Sequence, residues 1–179
     1  VAGRRLPADD RRRLAELVAH AAISEGKYAQ SFPSFGPERR GAPVQSFTRV
    51  SDQPIRLRTA IREPDFSVVL DPSLILVGGS LAGLKKTGIV VINTRKSIAE
   101  IKKEFSIAAR TAVVDATKIA LDVLNLPITN TTMIGALVKA SGVVDMESLI
   151  EPLRHRFGRI ADKNITVCRR AYEATVIEE

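Results

Sequence analysis

Three short runs constrain the fold more than anything else in this chain: FSVVLD at 66–71, GIVVINT at 88–94 and RTAVVDA at 110–116. Each is nearly continuous in apolar, β-branched residues. A strand with one face in water alternates apolar and polar residues, so continuous runs suit strands covered on both faces, as in a parallel sheet. Segments able to form helices lie between and after them, SLAGLKK at 80–86, SIAEIKKEF at 97–105 and ATKIALDVL at 116–124. Alternation of strand and helix with short links predicts an α/β fold built on an open, mainly parallel sheet.

The flanking regions read differently. LAELVAHAAI, from Leu14 to Ile23, has helical spacing, and Gly26 is a plausible stop. The next segment, KYAQSFPSFGPERRGAP at 27–43, holds Pro33, Pro37 and Pro43 with two glycines and reads as a long shaped loop. Two alternating runs, VQSFTRV at 44–50 and IRLRTAI at 55–61, are expected to pair as a hairpin around the turn at Asp52–Pro54. The C-terminal third reads as three helices in series. Asn130, Asp145 and Asp162 are the expected N-caps, and Gly142 and Gly158 the stops. The stripe Ile165, Cys168, Ala171 and Tyr172 is expected in the core or at a subunit contact. The fold expected is therefore Rossmann- or flavodoxin-like, with flanking helices, a long basic loop or hairpin insertion and a helical C-terminal layer.

At 179 residues the chain fits one domain, 1–179. Cys168 is the sole cysteine and His20 and His155 the only histidines. An internal disulfide is excluded, as is a four-cysteine zinc site or iron–sulfur cluster made by this chain alone, and no metal site is expected. No apolar run approaches a membrane span and no secretory leader is legible, so no membrane partner and a cytoplasmic location are expected. The formal charge is +7, of which +5 falls within residues 27–62. Lys27, Arg39, Arg40, Arg49, Arg56, Arg58 and Arg62 stand there against Glu38 and Asp52. A focused basic patch points to an anionic partner: a phosphorylated cofactor or an acidic protein surface. Aromatic residues make up only 4%, with no tryptophan, so nucleic acid is not the expected partner.

Ligands of open α/β sheets gather beyond the carboxyl ends of the strands. Asp71, Asn93, Thr94, Asp115 and Thr117 all fall there. Such residues also cap the helices that follow, and capping is the reading favoured at each single position. Cys168 reads as a small buried hydrophobe rather than a nucleophile. No residue stands at readable spacing from a partner as general base or nucleophile, so no catalytic residue is assigned.

The stretch EGKYAQSFPSFGPERRGAPV at 25–44 resembles the signature of the gamma subunits of 2-oxoacid:ferredoxin oxidoreductases. The likeness continues through PIRLRTAIREPDFSVVLDPSL, GIVVINT, PITNTTMIGALVKASG, LIEPLRHRFG and KNITVCRRAYE, over about nine-tenths of the chain. The pyruvate-specific branch, pyruvate synthase, looks closest; relatives act on branched-chain 2-oxoacids or 2-oxoglutarate. The resemblance implies an enzyme that decarboxylates a 2-oxoacid oxidatively, forms an acyl-CoA and reduces ferredoxin. It implies alpha, beta and delta partner subunits, with thiamine diphosphate, Mg²⁺ and [4Fe-4S] clusters held by those partners. This subunit would help bind coenzyme A and close over the active site. Arg39 and Arg40 are then expected at phosphate or at an acidic partner surface, since guanidinium forks grip such groups bidentately. Gly36 and Gly41 would let backbone N–H groups approach an anion. Gln30, Ser34 and Phe35 would line the passage to the reacting carbon, with Asn93 and Asn130 also at the site. Arg56 and Arg58 are read as a solvated hairpin face. A free-standing nucleotide-binding or regulatory module is the alternative.

Residues 1–13, VAGRRLPADDRRR, depart from the family pattern. Members usually begin with a strand and a Gly-Arg-Gly-Gly-Gln-Gly loop, and only Gly3 and Arg4 match here. A truncated or frame-shifted start and true divergence are both compatible with this, and either predicts that a first, central strand and its glycine-rich loop are missing.

Overall fold

The computed structural model describes residues 8–34, 45–57, 59–77 and 79–179. Three parallel strands form the centre: β3 (Phe66–Val69), β4 (Ile89–Asn93) and β5 (Arg110–Val114). The alternation that seemed absent from their sequences is present, but both phases are apolar. Val90, Ile92 and Val113 point to one face, where Ile101 of α3 (Ile98–Phe105) covers them. Ile89, Val91, Ala112 and Val114 point to the other, against Met133 and Ala136 of α5 (Asn130–Ser141) and Ala171 of α7 (Ala161–Ala174). Every residue of β4 is buried, which requires the unbroken β-branched run.

The helices begin where local chemistry starts them. Ser97 and Glu100 form a capping box at α3, each side chain bonding the other's backbone N–H. Asp115 caps α4 (Ala116–Leu124) through the Lys118 amide. The C-terminal layer corrects three expectations. Thr129 rather than Asn130 occupies the N-cap of α5, and Asn130 is the first residue inside the helix. Asp145 is followed by a 3₁₀ turn, Glu147–Leu149, before α6 (Ile150–Phe157). Asp162 lies within the first turn of α7. Gly142 and Gly158 end their helices at positive φ, as expected.

A second core layer joins α5 and α7 to α1 (Ala8–Ser24) and α6 through Leu17, Val18, Ile134, Val138, Leu153 and Ile165. The helices α5 and α7 touch backbone to backbone. A Cβ added at Gly135 would lie 1.9 Å from the Cys168 carbonyl oxygen. Cys168 itself is fully buried, and burial pushes its thiol up to about 12, so it behaves as a packing residue.

Three expectations about the connections are overturned. The 44–50 run does not pair with 55–61. It pairs as β2 (Gln45–Ser51) with β1 (Tyr28–Ser34), inside the stretch read as a loop. Pro33 is tolerated because a two-stranded ribbon has only edge strands. The 80–86 segment is a turn rather than a helix, and the helix lies earlier, at α2 (Leu74–Val77). Gly83 sits there at φ +74, with the Arg62 carbonyl oxygen 1.9 Å from where a Cβ would be. Finally, Val176 and Ile177 leave the α7 helix as a short strand, β6, antiparallel to β5. Glu178 fastens it, accepting from Lys102 Nζ at 2.5 Å and the Thr111 amide at 2.9 Å.

Candidate functional site: the basic hairpin and the strand ends

The β1–β2 hairpin rests on α1. Thr48 Oγ1 donates to the Ala15 carbonyl at 3.1 Å, and Ala29 and Val50 pack on the second core layer. At its root, Lys27 Nζ donates to Glu25 Oε2 at 2.9 Å and to the Val143 carbonyl at 2.8 Å. The Asp145 amide donates to the other Glu25 oxygen at 2.7 Å. Burial opposes ionisation of Glu25, but hydrogen bonds from Lys27, the Asp145 amide and Ser148 outweigh it and hold the carboxyl below its ordinary range. Lys27 is raised, chiefly by its hydrogen bond to Glu25.

Within the hairpin Gln30 lies opposite Arg49 and Phe32 opposite Phe47. The two phenylalanine rings are 5.6 Å apart, and the Arg49 guanidinium sits 5.6 Å from the Phe32 ring centroid. Arg49 also donates to the Leu57 carbonyl at 3.1 Å and the Thr59 carbonyl at 2.7 Å. It therefore straps the backbone at Leu57 and Thr59 onto the ribbon. This role was missed from sequence, although Arg49 stands at an alternating position of VQSFTRV. The Gln30 side-chain oxygen is buried without a hydrogen-bond partner among the described residues.

Other expected site residues fall in three places. Phe35, Gly36, Arg39, Arg40 and Gly41 lie in the segment between β1 and β2, outside the described residues, as do Arg58 and the Ser34 side chain. Asn93 ends β4, and its amide links three elements. Its nitrogen donates to the Leu70 carbonyl at 3.1 Å and to Thr117 Oγ1 at 3.0 Å, and its oxygen accepts from the Thr117 amide at 3.2 Å. Asn130 is buried in the first turn of α5. The structure puts Gln30 on the two-stranded ribbon and Asn93 on the central sheet. The other strand-end residues behave as caps and turns: Asp71 accepts from the Ser73 amide, Thr94 from the Lys96 amide and Asp115 from the Lys118 amide. Two cations beside them, Arg95 and Lys118, carried no expectation from sequence; Arg95 lies just after β4, and Lys118 in the first turn of α4. Among the described residues no three His, Cys, Asp or Glu side chains gather as a metal site, and no helix is long and apolar enough to cross a membrane.

This architecture can be set beside known proteins. The model of the pyruvate ferredoxin/flavodoxin oxidoreductase family matches residues 13–174. The chain belongs to that family. Among members of the pyruvate ferredoxin/flavodoxin oxidoreductase family, the pyruvate/ketoisovalerate oxidoreductases common subunit gamma of Thermococcus litoralis is 50% identical over 167 residues, covering 92% of this chain and 90% of the relative. Pyruvate synthase subunit PorC of Methanothermobacter marburgensis is 46% identical over 160 residues, covering 89% and 87%. The crystal structure of pyruvate oxidoreductase subunit PORC from Thermotoga maritima superposes with a TM-score of 0.83 at 34% identity, covering 94% of this chain and 92% of that one. The open, mostly parallel sheet with helices on both faces is thus the fold of the family.

Proposed function

We propose that this chain is the gamma subunit of a 2-oxoacid:ferredoxin oxidoreductase acting on pyruvate, and that its hairpin segment helps bind coenzyme A. The observation that carries the reading is the likeness to gamma and PorC subunits along nine-tenths of the chain, at up to 50% identity. Thiamine diphosphate, Mg²⁺ and [4Fe-4S] clusters would reside on alpha, beta and delta partners in a cytoplasmic complex. Cys168 alone, buried in the helical layer, does not suit a cluster.

The physical case for the coenzyme A role is the chemistry of the segment between β1 and β2. Coenzyme A carries a 3′-phosphate and a diphosphate. Arg39 and Arg40 supply two guanidinium forks, and Gly36 and Gly41 supply backbone amides unshielded by side chains. Arg49 ties the ribbon to the Leu57 and Thr59 carbonyls. Gln30 lies on that ribbon, its side-chain oxygen buried and without a partner among the described residues, and is a candidate contact for the ligand.

In the assembled enzyme, the Arg39→Gln/Arg40→Gln double variant is expected to raise KM for coenzyme A by about tenfold or more, from loss of charge-assisted hydrogen bonds of about 1.5–3 kcal/mol each. Reaction of the enzyme with pyruvate in the absence of coenzyme A should be preserved. An unchanged KM in an intact complex would overturn the coenzyme A role and leave the segment as a contact to a partner.

The name of the Thermococcus relative supports a second reading about specificity. That protein is a subunit common to pyruvate and ketoisovalerate enzymes. On this reading the choice of 2-oxoacid rests with other subunits, and the present chain would serve more than one.

A further inference from the structure

The β1–β2 ribbon carries its large apolar side chains on the face turned away from the helix that supports it. We propose that this outer face is the docking surface for a partner subunit of the oxidoreductase, one that presents an apolar patch rimmed by carboxylates. The inference rests on the reading of this chain as a subunit of such an enzyme.

Side chains alternate across a strand, and residues paired across the ladder share a face. The register puts Ala29 with Val50 and Ser31 with Thr48 on one face. That face lies on α1: Ala29 and Val50 pack on the second core layer, and Thr48 Oγ1 donates to the Ala15 carbonyl. The other face holds Tyr28, Phe32, Phe47 and Arg49. A ribbon with one wet face should put its bulk inward and its polar residues outward. Here the inward residues are small and the aromatic ones stand outward. Among the described residues, neither Phe32 nor Phe47 joins any of the three core clusters, and Tyr28 is 47% exposed. Arg49 extends this face to the next segment. Its bonds to the Leu57 and Thr59 carbonyls hold Leu57 beside the ribbon, with Leu57 itself 65% exposed. Aromatic residues gathered with arginine are the composition of an interface centre rather than of a solvated surface.

Charge selects the kind of partner. Within residues 27–62 seven cations stand against two carboxylates. Among the described residues, Arg49, Arg56 and Arg62 meet no carboxylate, whereas Lys85, Arg154 and Arg169 each do. Arg56, expected on a solvated face, and Arg62 are both exposed. An acidic rim on the partner would supply the missing counter-charges and steer its approach. A second copy of this chain is a poor fit. A twofold contact sets a patch against itself, so these cations would face one another.

The test reads thiol access at position 57. Leu57→Cys in the full chain supplies an accessible thiol, since the native Cys168 is fully buried. Assembly with the partner subunits should slow maleimide labelling there at least tenfold, while the isolated chain labels at one rate whatever its concentration. Tyr28→Glu, on the ribbon itself, should weaken affinity for the partner subunits tenfold or more at an unchanged melting temperature of the chain. Arg56→Glu/Arg62→Glu should do the same and also flatten the salt dependence of assembly. Undiminished labelling inside the intact assembly, or full affinity in both variants, would overturn the docking surface. Protection that grows with the concentration of the isolated chain would overturn it in favour of a second copy. A chain that joins no assembly refutes the subunit reading and this surface with it; a freely labelled Leu57→Cys within an assembly refutes the surface alone.

Discussion

The central sheet and the hairpin are both built from short strands, yet they are held by opposite means. All five residues of β4 are buried, and the two faces of the sheet are each sealed by helices. In β2 no residue is fully buried. A two-stranded ribbon is marginal in water by itself. This one persists through a few polar ties: Thr48 to α1, Arg49 to the 57–59 backbone, and the Lys27–Glu25 clasp to the turn after α5. The sheet carries global stability, whereas the hairpin is a local structure whose loss need not unfold the domain.

Three substitutions probe that contrast. The largest effect is expected at Ile92, fully buried in β4. Ile92→Ala should cost about 3–4 kcal/mol in urea unfolding, from lost transfer energy and the cavity left behind. A cost below 1 kcal/mol would mean the sheet is not the stabilising unit. Arg49→Ala should cost only about 1–2 kcal/mol, because its contacts are exposed. Hydrogen exchange should then accelerate at residues 52–60 and in β1–β2 while the sheet amides stay protected. Uniform acceleration across both regions would remove the distinction.

Glu25→Gln gives the smallest effect, about 1 kcal/mol at pH 7. Its sign with pH is set by the lowered carboxyl. The native state binds the Glu25 proton more weakly than the unfolded chain. The contribution is therefore present above the ordinary value of 4.5 and is lost as pH falls through the lower native value. Wild type and variant should converge in urea midpoints in that acid range; a constant gap would exclude an ionised clasp.

The same contrast explains what could be read from sequence. The sheet was legible because burial on both faces demands the β-branched runs at 66–71, 88–94 and 110–116. The hairpin was misplaced because partners adjacent in sequence, 44–50 and 55–61, looked cheapest to pair. The distant pairing with 28–34 wins through the Phe32–Phe47 contact and the support of α1, neither of which a local pattern reveals. Pro33 argued against a strand, and only a ribbon without a central position admits it. The helix expected at 80–86 failed at Gly83, where contact with the Arg62 carbonyl sets the backbone. The break after α7 was hidden because Val176 and Ile177 continue its apolar rhythm. At the strand ends, Ser97, read as part of the helix, is the residue that caps it, whereas the cap at Asp115 followed from residue type. The gathering of Arg95 and Lys118 did not, since it depends on two parallel strands ending side by side.

Gly135 sets how these parts can move. Where helices meet through interlocking side chains, rotamer changes absorb small displacements. At this crossing main chain faces main chain and no rotamer exists to yield. A shift of α7 therefore drags α5 with it, and α5 bears on the underside of the sheet through Met133 and Ala136. The terminal strand that begins two residues after α7 is thus geared to the layer of helices beneath the sheet, and a neighbour pressing on one end would be felt at the other.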